Sequence, residues 1–526
     1  MHPFEFYNRA LARMTRRELL NAAWALGAAA IARPLVSTSL RAEPSFEAYP
    51  FSLGVASGDP LPDGVVLWTR LAPDPLNAEA MGSDPVEVQW EVADSEAFRT
   101  IVQTGTTTAH YELAHAVHAE VSGLRPGRDY WYRFRAGNAL SPVGRTRTAP
   151  AAGTRVDSMH FIVCGCSNYE NGYFTALRHM AGEHADFIFH TGDYIYETGD
   201  GSANKKNVRH HLGPDCVTLT EYRNRYAQYR TDPDLRAAHA SAPFVVTWDD
   251  HEVTDNYADA YDANGTPPEV FLLRRAAAYQ AYYEAMPLRH AQWPDAGRMR
   301  LYRRLQFGDL IDLSILDTRQ YRSDQACGDR IKPLCPEALD PKRTLMGDAQ
   351  ERWLFSNLAT AHARWTVIGQ QVIMFPRRTR RGGETLWDMD KWDGYPADRV
   401  RVLQRLHRSR APNPIVLSGD IHLHYAADLH LDPQDERSEI VASEFTNTSI
   451  SANGDGSDVS FNWDAVRQEN PHIRYHSGRR GYISVTATQA EMRADYKILE
   501  KVTVPNEPIR TSGTVVVEAG KRGIVT

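Results

Sequence analysis

The sequence predicts a small antiparallel β-sandwich followed by a large α/β domain with buried strands, on three observations. From about Tyr49 to Pro150, short runs alternate apolar and polar side chains with turn residues between them, the pattern of strands that bury one face. Near Pro150 the runs become wholly apolar and are separated by helical segments, as for strands covered on both faces. From Gly481 to about Val525 the alternation returns.

The length of 526 residues suits two to four domains at roughly 150 residues each. With 42% hydrophobic and 24% charged residues, neither a disordered chain nor a collagen-like fibre fits. The 59 basic and 66 acidic residues give a formal net charge of -7, so there is no nucleic-acid-binding signature. Five cysteines are too few for a disulfide scaffold, and the odd number leaves at least one thiol without an intramolecular disulfide partner.

Residues 1–42 are expected to be a signal. Thr15-Arg16-Arg17-Glu18-Leu19-Leu20 precedes a weakly apolar stretch, residues 22–36, broken by Arg33 and Pro34. This resembles a twin-arginine export signal with cleavage near Ala42 and implies the twin-arginine export machinery as a partner. The mature chain would then be periplasmic or secreted from a bacterium. The plain alternative is a surface helix with two solvated arginines. No later stretch is apolar for long enough to give the mature chain a transmembrane segment.

Residues 43–150 form the sandwich. Its strands include residues 64–69, 86–91 and 129–134, and Leu124-Arg125-Pro126-Gly127 before Tyr130 and Tyr132 resembles a fibronectin-like corner. Residues 151–526 form the catalytic domain. Four of its apolar runs end in side chains able to ligate metals or handle protons. Phe161-Ile162-Val163 leads to Cys164, Cys166 and Asn168, and Phe187-Ile188-Phe189 to Asp193 and Tyr196. Phe244-Val245-Val246 leads to Asp249, Asp250 and His251, and Ile415-Val416-Leu417 to Asp420, His422 and His424. In open α/β sheets, sites form outside the carboxyl ends of strands, where loops gather side chains from several strands. Singly, each residue has an ordinary role as turn former, core aromatic or inert buried thiol. The combination carries the inference.

The set Cys166-Ser167-Asn168-Tyr169-Glu170, Gly192-Asp193-Tyr194-Ile195-Tyr196-Glu197, Trp248-Asp249-Asp250-His251-Glu252-Val253, Leu316-Asp317-Thr318-Arg319-Gln320-Tyr321-Arg322 and Gly419-Asp420-Ile421-His422 resembles the PhoD-type alkaline phosphatase/phosphodiesterase family of calcineurin-like metallophosphatases. The resemblance implies a four-layer αββα sandwich preceded by a small fibronectin/Ig-like β-sandwich. It also implies phosphate ester hydrolysis, of a phosphodiester or monoester, by a metal-bound hydroxide at an iron-calcium site.

Carried over by motif, Cys166, Asp193, Tyr196 and His422 would hold Fe3+. Thiolate and phenolate are strong anionic donors that suit a ferric centre. Asp250, Asn256 and Asp420, with Asp193 bridging, would hold Ca2+, which prefers oxygen ligands. Asp249 is either a ligand or a support. His251 would donate a proton or hydrogen bond to the leaving oxygen, and Asn168 would hydrogen-bond substrate or metal-bound water. Arg319, with Asp317 as its partner, would either stabilise phosphate charge or hold the metal-binding carboxylates, against a plain buried ion pair.

Cys164 competes with Cys166 as the thiol ligand, Cys166 matching the motif position, and a Cys164 to Cys216 disulfide stays open. Family likeness also implies a disulfide between Cys327 and Cys335. His210-His211 reads as a surface pair. Two other functions stay in view: a phospholipase D-like hydrolase of phospholipid headgroups, and a non-catalytic envelope-binding protein.

Overall fold

The computed structural model describes residues 45–77, 80–201, 204–295 and 297–525. The paired arginines and the proposed cleavage region lie outside the described residues. Two mixed sheets stack face to face with helices on their outer sides. The first has nine strands in the order Ile509–Glu518, Glu491–Leu499, Arg480–Thr488, Ser158–Cys164, Phe187–His190, Phe244–Val246, Val55–Leu61, Gly64–Arg70, Ala116–Ser122. The second has seven: Arg303–Phe307, Ile311–Ile315, Trp365–Gly369, Pro414–Ser418, Ile440–Thr446, His424–His430, Ile473–Ser477.

The two-residue period of a strand explains the layering. Phe161 and Val163 enter the layer between the sheets and join Leu313, Val367 and Leu417 in one core. Ile162 and Cys164 belong to the outer core with Leu177, Tyr226 and Leu235 from the helices Thr175–Ala181, Leu219–Arg230 and Pro233–Ser241. Beyond the second sheet, Ile368 and Val416 share a core with Leu354, Leu403 and Leu406 of Gly347–Ala359 and Pro396–Ser409. This is the αββα order. Burying such side chains contributes about 1.5–3 kcal/mol each, so the strand ends that carry the polar residues are firmly anchored.

The N-terminal sandwich shares a sheet with the catalytic domain. Val55–Leu61, Gly64–Arg70 and Ala116–Ser122 extend the nine-stranded sheet, with Gly58 opposite Phe244 in parallel. A Cβ on Gly58 would lie 2.4 Å from the Pro287 carbonyl oxygen and 2.7 Å from that of Phe244, so this junction requires glycine. Arg303 donates to Asp59 at 2.6 and 3.0 Å across the same junction. The sandwich's other sheet places Val88, Val92, Tyr132 and Phe134 in one core with Val65, Leu67, Val117 and Val121. At its corner the Arg125 N–H donates to the Tyr130 hydroxyl at 3.0 Å. Among the described residues, no helix is long and apolar enough to cross a membrane.

Candidate metal centre

Ser158–Cys164, Phe187–His190 and Phe244–Val246 run parallel, as do Ile311–Ile315, Trp365–Gly369, Pro414–Ser418 and Ile440–Thr446. The loops at their carboxyl ends meet in one place. Five of the seven residues expected to ligate metal take left-handed backbone conformations: Cys166, Asp193, Asn256, Asp420 and His422, with φ between 53 and 66°. Such conformations cost on the order of 1–3 kcal/mol each in non-glycine residues and cluster where function imposes them. Gly192 precedes Asp193 with φ 112°, and a Cβ there would lie 2.4 Å from the Asp249 nitrogen.

One end of the site is rich in thiol and phenol. Donor atoms of Cys166, Asp193 and His422 lie within 4.8 Å of one another. The Tyr196 hydroxyl donates to Asp193 Oδ2 at 3.0 Å and sits 3.1 Å from His422 Nε2. Asn453 meets His422 Nδ1 at 2.8 Å, which turns Nε2 toward the other donors. Cys166 clusters with Tyr196 and Ala452, whereas Cys164 is part of the outer core under the helices. Cys166 is therefore the thiol at the site. Cys164 and Cys216 are both free, so the alternative disulfide does not form, while Cys327 and Cys335 are bonded.

The other end is built of carboxylates. Asp249, Asp250 and Asp420 bring donor oxygens within 4.8 Å of one another, and Asp193, Asp250 and His251 form an overlapping group. The Asn256 N–H donates to Asp250 at 2.7 Å. Arg319 is completely buried and donates to Asp249 at 2.5 Å, Asp390 at 2.8 Å and Asp420 at 3.1 Å. Its guanidinium thus holds carboxylates and is not presented to a substrate, which corrects the phosphate-stabilising role. Asp317 is not its side-chain partner either. That carboxylate accepts the Arg319 and Gln320 backbone N–H groups at 3.1 and 3.0 Å, closing a turn. The Lys391 ammonium bonds Asp390 at 2.9 Å and also pairs with Asp420.

Electrostatics separate the two ends. Burial, then the Asp193 carboxylate, pushes the Cys166 thiol well up, and burial with Asp193 does the same to the Tyr196 phenol. At the carboxylate end burial opposes ionisation of Asp250, but Arg319 and His251 outweigh it and hold Asp250 below the usual range. Burial raises Asp249 well up despite Arg319. Asp249 Oδ2 is buried without a hydrogen bond. A soft thiol, a phenol and an imidazole beside a cluster of carboxylates are a donor set that fits multiply charged cations.

His251 places Nδ1 2.7 Å from Glu197 and keeps 17% of its side chain exposed. Burial would lower its pKa, yet Glu197, Asp250 and Asp193 raise it well above the ordinary value. The Asn168 amide oxygen accepts the Glu170 and Asn171 N–H groups at 3.0 and 3.2 Å. The sequence reading assigned no role to Glu252, whose carboxylate accepts N–H groups from Asp193, Tyr194 and Asp249 at 2.6–3.1 Å and so ties two ligand loops together. A glutamate two residues after paired aspartates was the only signal. Glu197, Asp390 and Asn453 were likewise unassigned. His211 is buried, bonded to Thr198 and Tyr229, and is no surface residue.

The chain is similar to known proteins in both of its parts. The family profile described as PhoD-like phosphatase matches residues 161–496, and that described as PhoD-like phosphatase, N-terminal domain, matches residues 37–150. Alkaline phosphatase D of Bacillus subtilis (strain 168) is 48% identical over 496 residues, covering 94% of this chain and 85% of the relative. The solved structure of PhoD superimposes with a TM-score of 0.90 at 48% identity, covering 92% of this chain and 93% of that one.

Proposed function

Because the chain belongs to the PhoD-like phosphatase family, we propose that it is an alkaline phosphatase/phosphodiesterase that works with iron at its thiol–phenol end and calcium at its carboxylate end. The observation that carries the reading is the convergence of donor atoms of Cys166, Asp193 and His422 at one end of the site and of Asp249, Asp250 and Asp420 at the other. Cys166, Asp193, Tyr196 and His422 would hold iron, and Asp250, Asn256 and Asp420 with Asp193 would hold calcium. When bound, the cations supply positive charge to the phosphate oxygens and acidify water.

The chain's own groups do the rest. His251, oriented by Glu197 through Nδ1, gives the proton on Nε2 to the leaving oxygen. The Asn168 amide nitrogen donates a hydrogen bond to the phosphate. Arg319 and Lys391 hold the carboxylates in place. The Arg16-Arg17 signal supports twin-arginine export to the periplasm or medium, and the bonded Cys327 and Cys335 suit an oxidising compartment.

A phospholipid-headgroup hydrolase is the second reading. Phe461 and Val459 favour it, being 93% and 58% exposed on the loop that also carries the His422 partner Asn453. A non-catalytic envelope-binding protein fits less well, since the donor set is complete. The test is release of p-nitrophenol from the diester bis(p-nitrophenyl) phosphate with calcium added and then chelated. Calcium-dependent release is expected, and absence of release by metal-loaded protein would overturn the enzyme reading.

A further inference from the structure

The disulfide between Cys327 and Cys335 closes a loop eight residues apart in sequence, and the start of that loop is unusual. Cys327, Gly328, Asp329 and Arg330 all have φ between 57 and 74°, a left-handed run that three non-glycine residues rarely adopt. The loop touches the site at one residue from two sides. Gln325, just before it, donates its amide to the Asn256 carbonyl at 2.7 Å and to Asp390 at 2.8 Å. Asp329 Oδ2 accepts from the Asn256 side-chain amide nitrogen at 2.9 Å.

A carboxylate only accepts hydrogen bonds when ionised, so Asp329 fixes which end of the Asn256 amide faces it. The nitrogen turns to Asp329, and the amide oxygen is left as the atom able to ligate a cation. Meanwhile the Asn256 backbone N–H is held by Asp250 at 2.7 Å. Asn256 is thus gripped at its N–H, its carbonyl and its amide nitrogen, with its oxygen left over.

We propose that the disulfide-closed loop is a positioning device for the calcium end of the site: it presents Asp329, which aims the Asn256 oxygen at the cation. This rests on the metal reading above. The cross-link restricts the conformations open to a short loop, and here it keeps a left-handed run from relaxing away from Asn256. Neither Asp329 nor the cysteines touch substrate.

The test titrates calcium into chelator-treated, full-length protein by calorimetry, with the visible absorption of the iron end read in parallel. Asp329→Ala and the double variant Cys327→Ser/Cys335→Ser should each weaken calcium binding by about tenfold or more while leaving the absorption unchanged. Asp329→Asn can still accept through its amide oxygen and should stay close to the unaltered protein. Combining Asp329→Ala with the cysteine changes should add little, since both act through one amide. Undiminished calcium affinity in Asp329→Ala, alongside loss in the control Asp250→Asn, would overturn the proposal and leave the metal reading standing. Absence of calcium binding by the unaltered protein would overturn both.

Discussion

At the carboxylate end, Asp249, Asp390 and Asp420 meet Arg319 and Lys391, cations that belong to the chain. At the thiol–phenol end the arrangement differs. Arg480, the guanidinium beside Cys166 and Tyr196, donates to the carbonyl oxygens of His422, Gly454 and Gly478 at 2.6–3.1 Å. Burial brings its pKa down to about 10. One end is therefore assembled by internal ion pairs, while at the other burial and the Asp193 carboxylate push the Cys166 thiol and the Tyr196 phenol well up. The difference teaches which residues shape the site and which only bind to what enters it.

Asp193 belongs to both ends, so its removal should break both. Asp193→Ala is expected to lose ester hydrolysis, calcium binding and visible absorption together, and loss of only one would separate the two ends. Next in size, His251→Ala should lower kcat by about 10²–10⁴-fold with metal content unchanged. A matching fall in bound metal would make it a ligand instead. Arg319→Met should destabilise the metal-free protein by about 3–5 kcal/mol, because Asp249 is left buried without its partner. Cys166→Ser should hardly move that stability, and urea unfolding of the two variants side by side tests the contrast. Cys164→Ala should affect packing alone and leave any absorption in place.

The smallest effect lies outside both ends. His118 is half-buried on the sandwich side, donating from Nε2 to the Tyr283 and Met286 carbonyls at 3.0 Å. Burial holds its pKa down to about 4 from an ordinary 6.5. As pH falls through that window the unfolded chain takes the proton first, so stability present above pH 6.5 is lost toward pH 4. The loss is on the order of 3 kcal/mol. Unfolding of His118→Gln should lack this slope, and an unchanged slope would refute the assignment.

Much of the catalytic architecture was legible in sequence because apolar runs ending in Cys, Asp and His mark strand ends by themselves. The gathering of Cys166, Asp193, Asp250 and Asp420 followed from that pattern and the family likeness. What stayed hidden depended on contacts between distant segments. The run of residues 64–69 reads the same whether that strand completes a separate sandwich or extends the catalytic sheet. Arg319 sits two residues from Asp317, yet its guanidinium reaches Asp249, 70 positions away. The clamp by Glu252 and the grip of Asp329 on Asn256 join loops that no local spacing connects.

The central claim is that one phosphoesterase site carries two chemically distinct cation-binding ends. It is tested most directly by quantifying the metals bound to folded protein while recording its hydrolysis of bis(p-nitrophenyl) phosphate. Active protein should contain iron and calcium, with visible absorption that Tyr196→Phe shifts. A colourless, fully active protein containing only zinc would contradict it.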